Sequence, residues 1–404
     1  MGIPMQRATR LGTVFAALVA MVSTLPAAAT SDAEDAPVAP STGVVRVEQA
    51  AADDLSTVAA DRVAAMTPAQ KAATVVMGHI PTTDPQQLRA YMADSAVGGF
   101  ILMGSNIPGS ESALRGVTAA LTLDPSLPPL LAVDQEGGDV SRLPWDDFPS
   151  SVTLKYEDPR ASELAFAGRG ALVQRAGIGV NFGIVADVTD DSGMFIYRRA
   201  LGTTPESGAE RVGAAVLGEG AEALSTLKHF PGHGAAPGDS HQGIPRTGMS
   251  EADWRAGDAL PFQAGIDAGA PLLMFGHLEY TAVDTAPASL SSRWHQIARD
   301  LGFRGVAITD DLGMLQASGI SAYSDPVANA VAAIAAGNDM VLAVVFSDAS
   351  TATRMADGIA AAAESGSLSA ERLDEAATRV VELRLQLAAE GRGLMPCGEC
   401  AAAG

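Results

Sequence analysis

A closed (β/α)8 barrel folded as a single domain is the architecture this sequence predicts, and three observations point to it. Eight short apolar runs recur along the chain, separated by helix-length amphipathic stretches. Polar residues able to do chemistry stand directly after most of those runs, at the C-terminal strand ends where barrel enzymes build their sites. Between about residues 63 and 392 no glycine- or proline-rich cluster marks a second boundary. A doubly wound open sheet is the alternative that the same βα rhythm allows. With 404 residues, 47% of them apolar and only 18% charged, the chain can bury a core of that size.

Residues 1–29 read as a secretory signal peptide. Arg7 and Arg10 precede the apolar stretch Leu11–Leu25, and Pro26-Ala27-Ala28-Ala29 offers a small-residue cleavage site after Ala29. The stretch is short for a membrane span. The expectation is a secreted or extracytoplasmic protein with no stable membrane insertion after cleavage, a retained anchor being the alternative. Residues 30–62, rich in Ala, Asp, Pro, Ser and Thr, read as a flexible linker with one weak helix. Order is expected from Thr67-Pro68, a helix cap followed by proline in the first turn. The expected strands are Ala73–Met77, Gly98–Met103, Pro129–Val133, Gly179–Val185, Leu224–Phe230, Pro271–Phe275, Gly305–Thr309 and Met340–Val344. Each is a near-continuous apolar run, as a strand buried on both faces should be. Helices are expected over Glu111–Leu121, Arg160–Ala176, Pro205–Glu222 and Pro326–Ala336, and a last one over Ser369–Leu387 closes the ring. Residues 393–404 read as a tail, in which Cys397 and Cys400 could form a local disulfide or half of a zinc site.

The formal net charge of −21 repels nucleic acids and acidic membranes, so a neutral or weakly charged substrate fits better and no nucleic-acid partner is expected. The chain has six histidines, and three of them, His229, His233 and His241, fall on one glycine- and proline-punctuated loop after the fifth run. A lone histidine is ordinarily a satisfied structural residue; three so close together argue for chemistry. One reading makes them metal ligands, but Pro231 and Gly232 prevent the helix that would bring His229 and His233 onto one face. The other has Asp239 orient His241, which then donates and accepts a proton near neutral pH. The second reading is preferred, with no metal and no cofactor.

The string Lys228-His229-Phe230-Pro231-Gly232-His233-Gly234, followed by Asp239-Ser240-His241, resembles the signature of bacterial β-N-acetylglucosaminidases (β-hexosaminidases) of glycoside hydrolase family 3. Asp134-Gln135-Glu136-Gly137-Gly138 resembles the family's DQEGG strand end, and Gly305–Leu312 its nucleophile strand. The similarity runs over roughly residues 65 to 390. It implies a retaining mechanism in which Asp310 attacks the anomeric carbon and His241, paired with Asp239, is the acid/base. It also implies that Asp134, Arg142, Arg199, Lys228 and His229 hold the sugar hydroxyls. Asp311 is the neighbour that chemistry alone does not rank below Asp310; it could instead cap a helix. His277 could line the pocket or be a satisfied strand-end histidine, and His233 is expected to stabilise the loop. Asp139 departs from the family's pattern, which commonly has Arg there. The expected partner is a β-linked N-acetylglucosaminyl oligosaccharide bound by a monomer. A β-glucosidase, a phosphate-using glycosidase, a metal-dependent hydrolase and a catalytically silent sugar-binding barrel are the competing readings.

Overall fold

The computed structural model describes residues 54–392. The expected signal peptide, most of the expected linker, and Cys397 and Cys400 lie outside those residues. Eight parallel strands close a barrel: β1 (Val76–Gly78), β2 (Gly99–Leu102), β3 (Leu130–Val133), β4 (Val180–Val185), β5 (Leu224–Phe230), β6 (Leu272–Phe275), β7 (Val306–Asp311) and β8 (Met340–Leu342). The strands neighbour one another in chain order, and β1 pairs with β8 through Val76↔Val341 and Met77↔Leu342 to close the ring. An open doubly wound sheet is thereby ruled out.

Each strand forms because its residues can be buried on both faces. On β2, Ile101 points into the barrel while Phe100 and Leu102 pack under the helices; on β6, Leu272 and Met274 point in while Leu273 and Phe275 point out. A fully buried side chain of this size contributes roughly 1.5–3 kcal/mol, so the two shells together are the main source of stability. The outer helices carry local start signals. Pro68–Thr74 begins with a capping box between Thr67 and Gln70, and Pro205–Glu219 with one between Thr204 and Ser207. The closing helix, Ala370–Glu390, is capped by Ser369 and buries Leu373, Ala376, Ala377, Val380 and Val381 at helical spacing. Residues 54–64 are also helical, with Ala59 and Val63 buried. Among the described residues no helix is long and apolar enough to cross a membrane.

Most strand limits shift by one to three residues from expectation, and two of the shifts have a clear local cause or consequence. Ala73 and Thr74 belong to the helix capped at Thr67, because that cap propagates the helix through an apolar run whose periodicity suits either state. At the other end, β7 runs on past Thr309 to Asp311, with a register irregularity against β8 between Ile308 and Asp311. That extension carries both acidic residues into the strand.

Candidate active site

Side-chain alternation sets the pocket floor. The inward face of β3 carries Leu130 and Ala132, so the next inward position is Asp134; that of β7 carries Val306 and Ile308, then Asp310. On β5, Leu224 points inward and Lys228 follows it by two strand periods. The barrel's apolar filling thus ends in a charged layer at its C-terminal mouth. There a pocket of about 290 Å3 is lined by Asp134, Arg142, Arg199, Lys228, His229, His241, Asp310 and Asp311, with Ile101, Met103, Val140, Met274, Met314, Leu342, Val344 and Val345.

The charges form a chain. Lys228 Nζ donates to Asp134 Oδ1 at 2.9 Å and pairs with Glu136 Oε1 at 2.7 Å. Arg199 grips Glu136 with two bonds, Nε to Oε2 at 2.9 Å and Nη2 to Oε1 at 2.7 Å. Arg142 Nη2 reaches Asp134 Oδ2 at 3.4 Å, and its buried Nε has no partner among the described residues. Three cations thus face the carboxylates of Asp134, Glu136 and Asp310, and the cluster is close to neutral. Burial alone would raise the Glu136 carboxyl, but Lys228 and Arg199 outweigh it and hold the group at about 2. Glu136 is a fixed anion that aims both cations.

Among the described residues Asp310 accepts one hydrogen bond, from the backbone N–H of Asp311 at 2.8 Å. Enclosure in the barrel works to raise its carboxyl, yet His229, His277, the Asp311 N–H and Lys228 together hold it below the ordinary carboxylate range. Asp311 has a different life. Its Oδ1 accepts from Gly313 and Val344 N–H (3.0 and 2.9 Å) and its Oδ2 from Val345 N–H (2.8 Å). It caps the helix Leu312–Ala317, and burial pushes its carboxyl up to about 6.

Each histidine of the loop has its own partner. His229 Nδ1 meets Asp187 Oδ2 at 2.7 Å, and the same carboxylate accepts the backbone N–H of His233 at 2.6 Å. His233 is buried, its Nε2 sits 2.8 Å from Ser240 Oγ, and burial lowers it to about 3, so it is a neutral loop brace. The peptide bonds Lys228–His229 and Phe230–Pro231 are cis. His241 Nδ1 lies 2.6 Å from Asp239 Oδ1, which leaves Nε2 as the free nitrogen, and its side chain is 60% exposed on the rim. Asp239 stands behind His241 and does not line the pocket. Although burial raises the Asp239 carboxyl, the hydrogen bonds from His241 keep it low. The loop lies so close to the segment after β4 that a Cβ on Gly234 would come 1.6 Å from Val188 O, and Gly234 therefore admits no side chain. Among the described residues no group of three His, Cys, Asp or Glu side chains is arranged to hold a metal ion.

The pocket therefore gathers seven of the eight singled-out residues, with Asp239 one layer behind. His277 is a satisfied strand-end histidine: Nδ1 meets Ser289 Oγ at 2.7 Å and Nε2 the Asp311 carbonyl at 2.9 Å. Asp139 at the mouth forms a two-bond pair with Arg198, at 2.6 and 3.0 Å. Sequence reasoning missed the parts played by Glu136 and Asp187, although both are acids placed just after a strand.

Comparison with known proteins agrees with this geometry. Residues 65–383 match the model of the glycosyl hydrolase family 3 N terminal domain. A beta-hexosaminidase of Stenotrophomonas maltophilia is 34% identical over 280 residues, covering 66% of this chain and 82% of its own. One from Pseudomonas aeruginosa is 36% identical over 262 residues, covering 63% and 77%. Among solved structures, a family 3 beta-N-acetylglucosaminidase from Paenibacillus sp. superposes with a TM-score of 0.75 at 28% identity, covering 84% of this chain and 65% of that one. A beta-N-acetylhexosaminidase from Beutenbergia cavernae gives 0.68 at 29% identity, with 81% and 99% covered.

Proposed function

This chain belongs to glycoside hydrolase family 3 and is a glycosidase, and on that premise we propose that it is a retaining exo-β-N-acetylglucosaminidase acting on cell-wall-derived or chitin-like oligosaccharides. The observation that carries the reading is Asp310: a carboxylate kept ionised at the pocket floor with one hydrogen bond, beneath a rim histidine whose Nε2 is free.

In the first step Asp310 attacks the anomeric carbon while His241 Nε2 passes its proton to the departing oxygen, giving a covalent glycosyl-Asp310. In the second, water takes the leaving group's place, Nε2 removes its proton, and the glycosyl ester is cleaved with the β configuration restored. Asp239 holds Nδ1–H and so fixes the tautomer that leaves Nε2 for both transfers. An imidazole, cationic before it donates the proton and neutral after, does not repel the Asp310 carboxylate in either state, as a second carboxylate would. Lys228, Arg199, Arg142 and Asp134 bind the hydroxyls of the non-reducing sugar, with the unpartnered Nε of Arg142 available as a donor. His229, held by Asp187, completes that wall. The chain works as a monomer outside the cytoplasm after loss of residues 1–29.

The test is hydrolysis of 4-nitrophenyl β-N-acetylglucosaminide against the matching β-glucoside, with product anomers followed by NMR. The N-acetylglucosaminide should be preferred by about tenfold or more, with β-N-acetylglucosamine appearing first. Turnover of neither substrate, or initial release of the α-anomer, would overturn the reading.

A further inference from the structure

We propose that Phe346 is the platform on which the leaving portion of the substrate rests, an inference built on the glycosidase reading above. Val344 and Val345 form the pocket's lip beyond β8, and Phe346 is the next residue. Val345 is 42% exposed and Phe346 69%, the most exposed large apolar side chain among the described residues. Phe346 also has φ +57°, a left-handed backbone that a bulky side chain rarely adopts.

The turn around it explains how that conformation is held. Ser347 N–H closes the turn on Val344 O at 3.2 Å, which puts Phe346 at the third position, where positive φ ordinarily selects Gly or Asn. From behind, the Val344 and Val345 N–H groups donate to Asp311, the residue next to Asp310. The backbone leading into this exposed phenyl ring, one that glycine would occupy more readily, is thus held by the carboxylate adjoining the reacting one. Neither folding nor solubility is served by that choice, and strain of this kind concentrates at ligand clamps.

The division of the pocket names the occupant. Its floor holds Asp134, Arg142, Arg199, Lys228 and His229, which suit the hydroxyls of the terminal sugar. The lip is apolar, and what extends outward past it is the group beyond the scissile bond. A pyranose carries C–H groups on one face, and an aromatic ring is their natural partner. The second sugar of a chitin-like disaccharide is the leaving group this lip would take.

The experiment compares kcat/KM for di-N-acetylchitobiose with that for β-N-acetylglucosaminyl fluoride, whose leaving group is too small to use the lip. In Phe346→Gly the disaccharide-to-fluoride ratio should fall about tenfold, equivalent to ~1.4 kcal/mol. In Phe346→Trp the ratio should return to near the wild-type value. The thermal midpoint of Phe346→Gly should equal or exceed that of the wild type, because glycine suits φ +57°. A ratio unchanged in Phe346→Gly, or no better in Phe346→Trp, would overturn this inference alone. Turnover of neither substrate by the wild type would remove the parent reading and this inference with it.

Discussion

The two ends of the barrel each gather buried acids and basic side chains, and they spend them differently. At the N-terminal end the fully buried Asp339 accepts from Arg299 at 2.8 Å, Arg372 at 2.5 Å, Arg379 at 2.9 Å and the Ala307 N–H at 3.0 Å. Its acceptor sites are all taken. At the C-terminal end Asp310 has one hydrogen bond, Arg142 keeps an idle donor, and the charges face a cavity. Saturation marks the end that holds the barrel together; unspent valence marks the end proposed to do chemistry. The same contrast recurs within one dipeptide, since Asp311 is spent on three backbone N–H groups and Asp310 is not.

Substitutions at the two ends should separate these roles. Asp310→Ala should lower kcat/KM on the N-acetylglucosaminide by about ten thousand-fold or more, while the thermal midpoint hardly moves. A large loss of stability with activity retained would place Asp310 with Asp339. His241→Ala should cost about a hundred- to a thousandfold on a disaccharide and less on a 4-nitrophenyl glycoside, whose leaving group needs no proton. Equal losses on both substrates would contradict the proton-donor role. Asp339→Asn should do the reverse: about 3 kcal/mol less resistance to urea, because three arginines lose their counter-charge, with little change in kcat/KM per folded molecule.

Another buried carboxylate acts on stability through pH. Glu219 touches Asn181 through Oε1 at 2.6 Å and has no partner at Oε2, and burial raises its carboxyl to about 8 against the pull of Asn181 and Arg169. Folding then retains a proton that the unfolded chain releases near its ordinary value of 4.5. Stability from this group is full below about that pH and declines as pH rises towards 8. Glu219→Gln mimics the protonated form and should flatten that decline between pH 5 and pH 8 in urea titrations. An unchanged pH slope would show that Glu219 is ionised in the folded chain.

Much of this was legible in the order of residues. The apolar runs located the barrel strands because parallel strands buried on both faces must be continuously apolar. The acids just after them located Asp134 and Asp310, since strand alternation carries those positions into the mouth, whereas Lys228, inside the fifth run, was named only through the family resemblance. What could not be read depends on distant partners. Arg199 and Glu136 are 63 residues apart and His229 and Asp187 are 42 apart, and only the closed ring brings them together. Residue chemistry alone left Asp310 and Asp311 unranked, the family resemblance alone favouring Asp310, because the difference rests on where the β8 loop places its N–H groups. The helix through Thr74 was misread for a local reason: a cap six residues upstream of Ala73 decides a run whose pattern does not.

Asp310, and not its spent neighbour, is the residue proposed to form the bond to the sugar. Incubation with a 5-fluoro-N-acetylglucosaminyl donor, followed by proteolysis and mass spectrometry, tests it directly. A glycosyl adduct on Asp310 is the expected result; an adduct on Asp311, or turnover with no adduct on either residue under trapping conditions, would contradict it.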